Sequence, residues 1–240
     1  MASFVQRIDS MRAFRDRRDA GRKLAQRFDS YIGKPDVLVL ALPRGGVPVA
    51  YEVALHLGAP LDVLVVRKLG VPGHSELAMG AIASGEIQVV DQRIVNALGI
   101  SREAFEAVER AERAELERRE RAFRAGRPPL DVTGKTVVIV DDGLATGASM
   151  AAAIDAIRTR DPRRVVAAVP VAPPETCDAL DERADEMICL TTPDRMYAVG
   201  AWYEDFTQTT DAEVRELLDA AARERTSRTK VLSERAPIRR

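Results

Sequence analysis

The chain has 240 residues, 46% of them hydrophobic and 30% charged, with a formal net charge of −1. This suits one large domain or one domain with a small appendage. The first residues pass directly into charged sequence without an apolar signal core, and no window approaches a membrane span, so neither export nor membrane insertion is expected and the cytoplasm is the default compartment. Cys177 and Cys189 match no zinc or redox spacing and read as buried packing thiols in a reducing compartment.

Residues 8–32 read as a helix in which Met11, Phe14, Leu24 and Phe28 stand among many charges. A buried strand at 37–42 follows, then a helix at 47–57 and a second strand at 61–66. Short strands near 79–83 and 87–90 precede a second helical region. Beyond it come a strand at 137–140, a helix at about 147–160, a strand at 165–171, a helix near 175–182 and a strand at 186–190. Alternating strands and helices imply an α/β fold with a mostly parallel, doubly wound sheet flanked by helices. The core is expected over 37–206, with residues 1–36 as an N-terminal hood or packing segment and 207–222 as a C-terminal helix. From Arg223 to Arg240 seven Lys/Arg face two Asp/Glu, so 223–240 are expected to form a basic, disordered tail.

The segment from Ser101 to Arg124, within an insertion at 101–125, differs in kind. Ser101 can cap it, Gly126, Pro128 and Pro129 can stop it, and good helix formers fill its interior. Glu106/Arg110, Glu109/Arg113, Glu115/Arg119, Glu117/Arg121 and Glu120/Arg124 stand four apart with the acid first, the favourable orientation on a helix. With only a thin apolar stripe of Phe105, Val108, Leu116 and Phe123, the segment reads as a long solvated helix.

Residues 137–149, Val-Val-Ile-Val-Asp-Asp-Gly-Leu-Ala-Thr-Gly-Ala-Ser, carry the most chemistry. Val137 to Val140 lack alternation, which suits a parallel strand covered on both faces, and ligands of such sheets bind beyond the strands' carboxyl ends. Asp141 and Asp142 emerge there, and adjacent carboxylates repel unless a ligand or cation uses them. The small residues Ala145, Thr146, Gly147, Ala148 and Ser149 let backbone N–H groups close on an anion where the next helix begins. Strand, acid pair and phosphate cradle, in this order, resemble the phosphoribosyl pyrophosphate signature of the type I phosphoribosyltransferases. The resemblance implies that Asp141 and Asp142 hold the ribose 2′- and 3′-hydroxyls and that residues 145–149 hold the 5′-phosphate.

Further segments fit the same resemblance. Ala41-Leu-Pro-Arg-Gly-Gly46 looks like the family's pyrophosphate-binding loop, which assigns Pro43, Arg44, Gly45 and Gly46 to the diphosphate and places a non-proline cis peptide between Pro43 and Arg44. Residues 67–76, interrupted by glycines and a proline, have the length of a lid. They are similar to the flexible catalytic loop of adenine and orotate phosphoribosyltransferases, which implies that Arg67 and Lys68 contact pyrophosphate during catalysis. Residues 192–206 resemble the base-covering segment of the hypoxanthine-guanine enzymes, implying Tyr197 or Trp202 as the ring that stacks on a base and Glu204 as a metal-proximal acid.

The resemblance implies an enzyme of the pentosyltransferase class, moving the 5-phosphoribosyl group from phosphoribosyl pyrophosphate to a nitrogen acceptor, with a nucleobase as the expected acceptor and Mg2+ as cofactor. The partners it implies are phosphoribosyl pyrophosphate, a small-molecule acceptor and a second copy of the chain, with no membrane and no nucleic acid. The acceptor is not fixed, because Ala145 stands where 6-oxopurine enzymes carry an aspartate and residues 169–173 offer no cation to a 6-oxo group. The alternative is a catalytically weak regulator on the same fold that senses phosphoribosyl pyrophosphate or nucleotides and contacts nucleic acid. A triphosphate-binding motif at Gly134-Lys-Thr136 fails, since Pro129 occupies the required upstream glycine position and the motif precedes its strand. Asp142→Asn is expected to remove most activity with little loss of fold.

Overall fold

The computed structural model describes residues 13–124 and 126–235. Asp16 caps the first helix, its carboxylate accepting from the Asp19 N–H at 2.7 Å, and α1 spans Arg17–Ala25. The helix expected over 8–32 is therefore shorter and continues as a 3-10 turn at Gln26–Tyr31, while residues 8–12 lie outside the described residues. Then follow β1 (Val37–Ala41), α2 (Gly46–Leu57), β2 (Leu61–Val63), β3 (Val66–Val71), β4 (His74–Ala83), β5 (Ile87–Val90), α3 (Gln92–Ala97) and α4 (Arg102–Arg124). The second half contains β6 (Thr136–Val140), α5 (Ala148–Arg158), β7 (Arg164–Val171), α6 (Pro174–Asp181), β8 (Glu186–Thr191) and α7 (Asp211–Arg235).

Five strands form a parallel sheet in the order β2-β1-β6-β7-β8. Successive residues of the central strands serve opposite cores. Val37, Val39, Val138 and Val140 face α1, α2 and α7, whereas Leu38, Leu40, Val137 and Ile139 face α5 and α6. Burial on both faces is why these strands lack alternation. Because β1 pairs with β6 from Val37 opposite Thr136 to Ala41 opposite Val140, the loops that leave them start at the same level. The crossover through α2 runs to β2 on one side and that through α5 runs to β7 on the other. The β1/β6 boundary is thus the switch point, where open sheets of this kind bind ligands.

The structure corrects several expectations. The strand read at 61–66 is two elements, β2 in the main sheet and β3 in a separate antiparallel sheet with β4 and β5. The lid read at 67–76 is consequently a β-hairpin. Its Gly70 sits at a register shift and its Gly73, at φ +79°, forms the turn. Cys177 and Cys189 are joined in a disulfide that ties α6 to β8, so the reading as free thiols fails and the compartment argument built on it loses its support. The basic stretch from Arg223, read as disordered, is the continuation of α7 as far as Arg235, since no Gly or Pro interrupts it. Among the described residues no helix is long and apolar enough to cross a membrane.

The insertion helix α4 starts as expected, with the Ser101 hydroxyl accepting from the Ala104 N–H at 3.2 Å. It is not solvated all round, because it packs on β3, β4 and α7 and buries Leu116, Phe123 and Arg124. Arg124 donates to both carboxylate oxygens of Asp62 at 3.1 and 3.2 Å and to the Val63 carbonyl at 2.5 Å. Asp62 also accepts from the Val63 and Leu130 N–H groups at 2.8 and 3.2 Å. Removing one member of such a buried pair strands the other. Arg124→Ala is therefore expected to cost about 3–5 kcal/mol in chemical denaturation, and a loss no larger than that of an exposed arginine would show that the pair does not anchor α4.

Candidate active site

The loop after β1 and the loop after β6 interlock. Leu42 donates its N–H to the Val140 carbonyl at 2.9 Å, and the Pro43–Arg44 peptide is cis, as the resemblance implied. A Cβ on Gly45 would lie 2.0 Å from Oδ2 of Asp142, and one on Gly46 would lie 2.7 Å from the Val140 carbonyl oxygen. Only hydrogen at these two positions lets the backbone pass so close to the acid pair.

The acid pair is asymmetric. Asp141 Oδ1 accepts from the Asp142 N–H at 2.8 Å, and among the described residues Asp141 has no ion-pair partner. Asp142 Oδ2 instead receives the Nε–H of Arg17 at 2.7 Å, with both side chains nearly buried at 14% and 11% exposure. Arg17 also donates to the Thr207 carbonyl at 2.7 Å and lies 3.8 Å over the Phe206 ring. The Tyr203 hydroxyl donates to the Asp142 carbonyl at 2.5 Å, and burial raises its phenol pKa. Burial and the neighbouring Asp142 charge push the Asp141 carboxyl well above the ordinary 3.8. Burial also raises Asp142, against the opposing pull of Arg17. Arg17 went unnoticed in the sequence because 125 positions separate it from the acid it meets. It also alters the expectation for Asp142→Asn, which would leave a buried guanidinium without its counter-charge and so would not spare the fold.

Beyond the acids, Gly147 turns the chain at φ +70° into α5. A Cβ there would come within 2.8 Å of Thr176, whose hydroxyl donates to the Ala145 carbonyl at 3.1 Å and braces the loop from behind. Among the described residues no acceptor meets the backbone N–H groups of 145–149, and Ala145, Thr146, Ala148 and Ser149 are exposed. Free N–H groups at the positive end of a helix form an anion receptor.

Residues 13–204 match the family described as phosphoribosyl transferase domain. The chain belongs to the phosphoribosyltransferase family. Two curated Mycobacterium tuberculosis proteins, "Putative phosphoribosyl transferase Rv0571c" of strain H37Rv and its counterpart MT0597 of strain CDC 1551, are each 50% identical to it over 214 residues. The match covers 89% of this chain and 48% of theirs, so the chain spans about half the length of these relatives. The crystal structure of TT1426 from Thermus thermophilus is similar at 44% identity and a TM-score of 0.78, covering 85% of this chain and 97% of that one.

Two adjoining cavities, both lined by Pro43 and Arg119, form a cleft at the ends of β1 and β6. The larger, of about 520 Å3, is lined by Arg17, Arg44, Asp142, Phe206 and the α4 residues Arg118 and Arg119. The smaller, of about 230 Å3, is lined by Arg67, Lys68, Asp141, Ser149 and again Arg119. The structure thus gathers Asp141, Asp142, Arg44, Arg67, Lys68 and Ser149 at the ends of β1 and β6. Arg67 is not free, since its guanidinium is 2.5 Å from Glu112 of α4, while Lys68 is exposed. Arg44 reaches Asp211 of α7 at 3.3 Å. Tyr197, Trp202 and Glu204 line neither cavity. Tyr197 is 84% exposed, Glu204 is exposed, and the Trp202 indole N–H is buried without an acceptor among the described residues. Two aromatic rings line the larger cavity, Phe123, buried on α4, and Phe206, already covered by Arg17.

Proposed function

We propose that the chain transfers a phosphoribosyl group from phosphoribosyl pyrophosphate to a nitrogen acceptor and releases pyrophosphate. The observation that carries this reading is the meeting, at one switch point, of an unpaired carboxylate, a helix-end N–H cradle and a glycine loop bearing Arg44. In this reading the 145–149 loop takes the 5′-phosphate through its backbone N–H groups. Asp141, without an ion-pair partner among the described residues, accepts from the ribose hydroxyls. Arg44 and Lys68 offset the charge of the diphosphate, and the interlocked loops fix the sugar relative to it. The acceptor nitrogen forms the new bond to C1′ as the bond from C1′ to the diphosphate oxygen breaks, and pyrophosphate departs with that electron pair.

Magnesium fits this site. Among the described residues no cluster of three His, Cys, Asp or Glu side chains is disposed to hold a metal alone. A hard cation of this kind needs only one or two carboxylates when phosphate oxygens and water complete its shell, and in this reading Asp141 would supply one. When bound, it would neutralise the leaving diphosphate. The test is to incubate the protein with magnesium, phosphoribosyl pyrophosphate and a panel of purine, pyrimidine and amine acceptors, measuring pyrophosphate release. Release that depends on one acceptor class identifies the substrate; no release with any acceptor contradicts the enzymatic reading.

The Arg17–Asp142 pair favours one second reading, a sensor that holds phosphoribosyl pyrophosphate without turning it over, because a protein cation already occupies one acid of the pair. Calorimetric binding of phosphoribosyl pyrophosphate in the absence of pyrophosphate release would select it.

A further inference from the structure

The parallel sheet is complete without α4, yet the C-terminal half of α4 closes one wall of the cleft. Leu116 and Phe123 are buried against the core. Residue 119 lies three positions after the first and four before the second, so Arg119 projects from the same packed face of the helix. A guanidinium on a packed face is costly to desolvate unless its head finds charge or polar partners. The Arg119 side chain remains 37% exposed, and it alone among the cleft's cations lines both cavities. Its Nε–H donates to Glu115 at 2.7 Å, and Arg118 shares that same carboxylate. Among the described residues the remaining donors of the Arg119 fork have no acceptor. Arg67, the arginine at the root of the hairpin, is meanwhile neutralised by Glu112, two turns before Arg119 on α4. The insertion helix therefore engages one arginine of the cleft and presents another at the junction of its two halves.

Resting on the phosphoribosyl-transfer reading above, we propose that Arg119 is a pyrophosphate-binding residue, a forked cation brought by the insertion helix to the diphosphate between the Pro43–Gly46 loop and the root of the β3–β4 hairpin. Planar guanidinium donors suit two phosphate oxygens at once. The helix is rigid and its next turn is anchored by Arg124 on Asp62, so the clamp stands ready before the ligand arrives.

The test is calorimetric titration of wild type, Arg119→Ala and Arg119→Lys with inorganic pyrophosphate in magnesium, with phosphoribosyl pyrophosphate titrated in parallel. Arg119→Ala is expected to weaken pyrophosphate binding at least about tenfold, the loss of one charge-assisted contact, and to melt within about 2 °C of wild type. Arg119→Lys should weaken binding less, because charge survives and the fork does not. Glu115→Gln should keep pyrophosphate affinity; if it loses as much as Arg119→Ala, Arg119 only braces the helix and the proposal fails. Should Arg119→Ala not fold, the lysine variant decides alone, with unchanged pyrophosphate affinity overturning the proposal. If wild type binds phosphoribosyl pyrophosphate and the Arg119 variants bind both ligands equally well, Arg119 has no such role while the proposed function stands. If wild type binds neither ligand, the proposed function falls with it.

Discussion

Asp141→Asn is expected to abolish most turnover while making the fold more stable at neutral pH. The carboxyl is half-buried beside Asp142 and desolvation raises its pKa well above 3.8, so ionising it works against the folded state. The sign follows from linkage. With a folded pKa above the unfolded one, the wild type has its full stability below pH 3.8 and loses part of it as pH rises toward the raised folded value. Asparagine does not ionise, and its carbonyl oxygen can still accept from the Asp142 N–H, as Oδ1 does at 2.8 Å. The melting temperature of the variant should therefore match wild type in acid and exceed it increasingly as pH rises. Its rate of pyrophosphate release should fall by about 100-fold or more, the scale of removing a preorganised polar group from a reacting centre. A variant that melts below wild type at pH 8 would show that Asp141 is not an electrostatic burden held for function.

Arg17→Ala should have the largest effect on stability of any single change near the site. The substitution removes the cation bonded to Asp142 at 2.7 Å, the donor to the Thr207 carbonyl and the group stacked 3.8 Å over Phe206. It leaves two adjacent, largely desolvated carboxylates with no ion-pair partner among the described residues. A loss of about 3–5 kcal/mol is expected, lowering the melting temperature on the order of 10 °C. The loss should shrink in acid, where both carboxyls are protonated and the pair is already broken. Adding Asp142→Asn should cost less than the separate effects combined, because each single change strands the other's charge. A drop under about 0.5 kcal/mol, as for an ordinary surface arginine, would contradict the buried pair.

What the sequence made legible was local. The β6 strand, the acid pair and the 145–149 cradle are contiguous, and an unbroken β-branched run ending in Asp-Asp has few other meanings. The glycine loop at 43–46 was readable for the same reason, although its closeness to Asp142 was not. The hairpin was misread because Gly70, Pro72 and Gly73 break a hydrophobic pattern in a lid and in a bulged turn alike. For α4, all five expected ion pairs along the helix form. Spacing within a helix nevertheless says nothing of partners elsewhere in the chain, and Arg67–Glu112 and Asp62–Arg124 are what turn a solvated-looking helix into a wall of the site. Arg17 follows the same rule, as its role exists only once the N-terminal helix and the β6 loop have been brought together.

Base recognition was the weakest reading from sequence, and the position of Phe206 explains why. A cluster of aromatic residues around 197–206 signals a ring for stacking without saying which ring faces the cleft, since that depends on how Phe14 and Tyr203 pack, their ring centroids 5.4 Å apart.

In the proposed function, Asp141 and the 145–149 loop grip opposite ends of one sugar phosphate at the β1/β6 switch point. A crystal structure of the protein with phosphoribosyl pyrophosphate and magnesium measures this most directly. The 5′-phosphate is expected on the backbone N–H groups of 145–149, the ribose hydroxyls on Asp141 and the diphosphate against Arg44. A sugar phosphate bound elsewhere on the sheet, with Asp141 out of its reach, would contradict it.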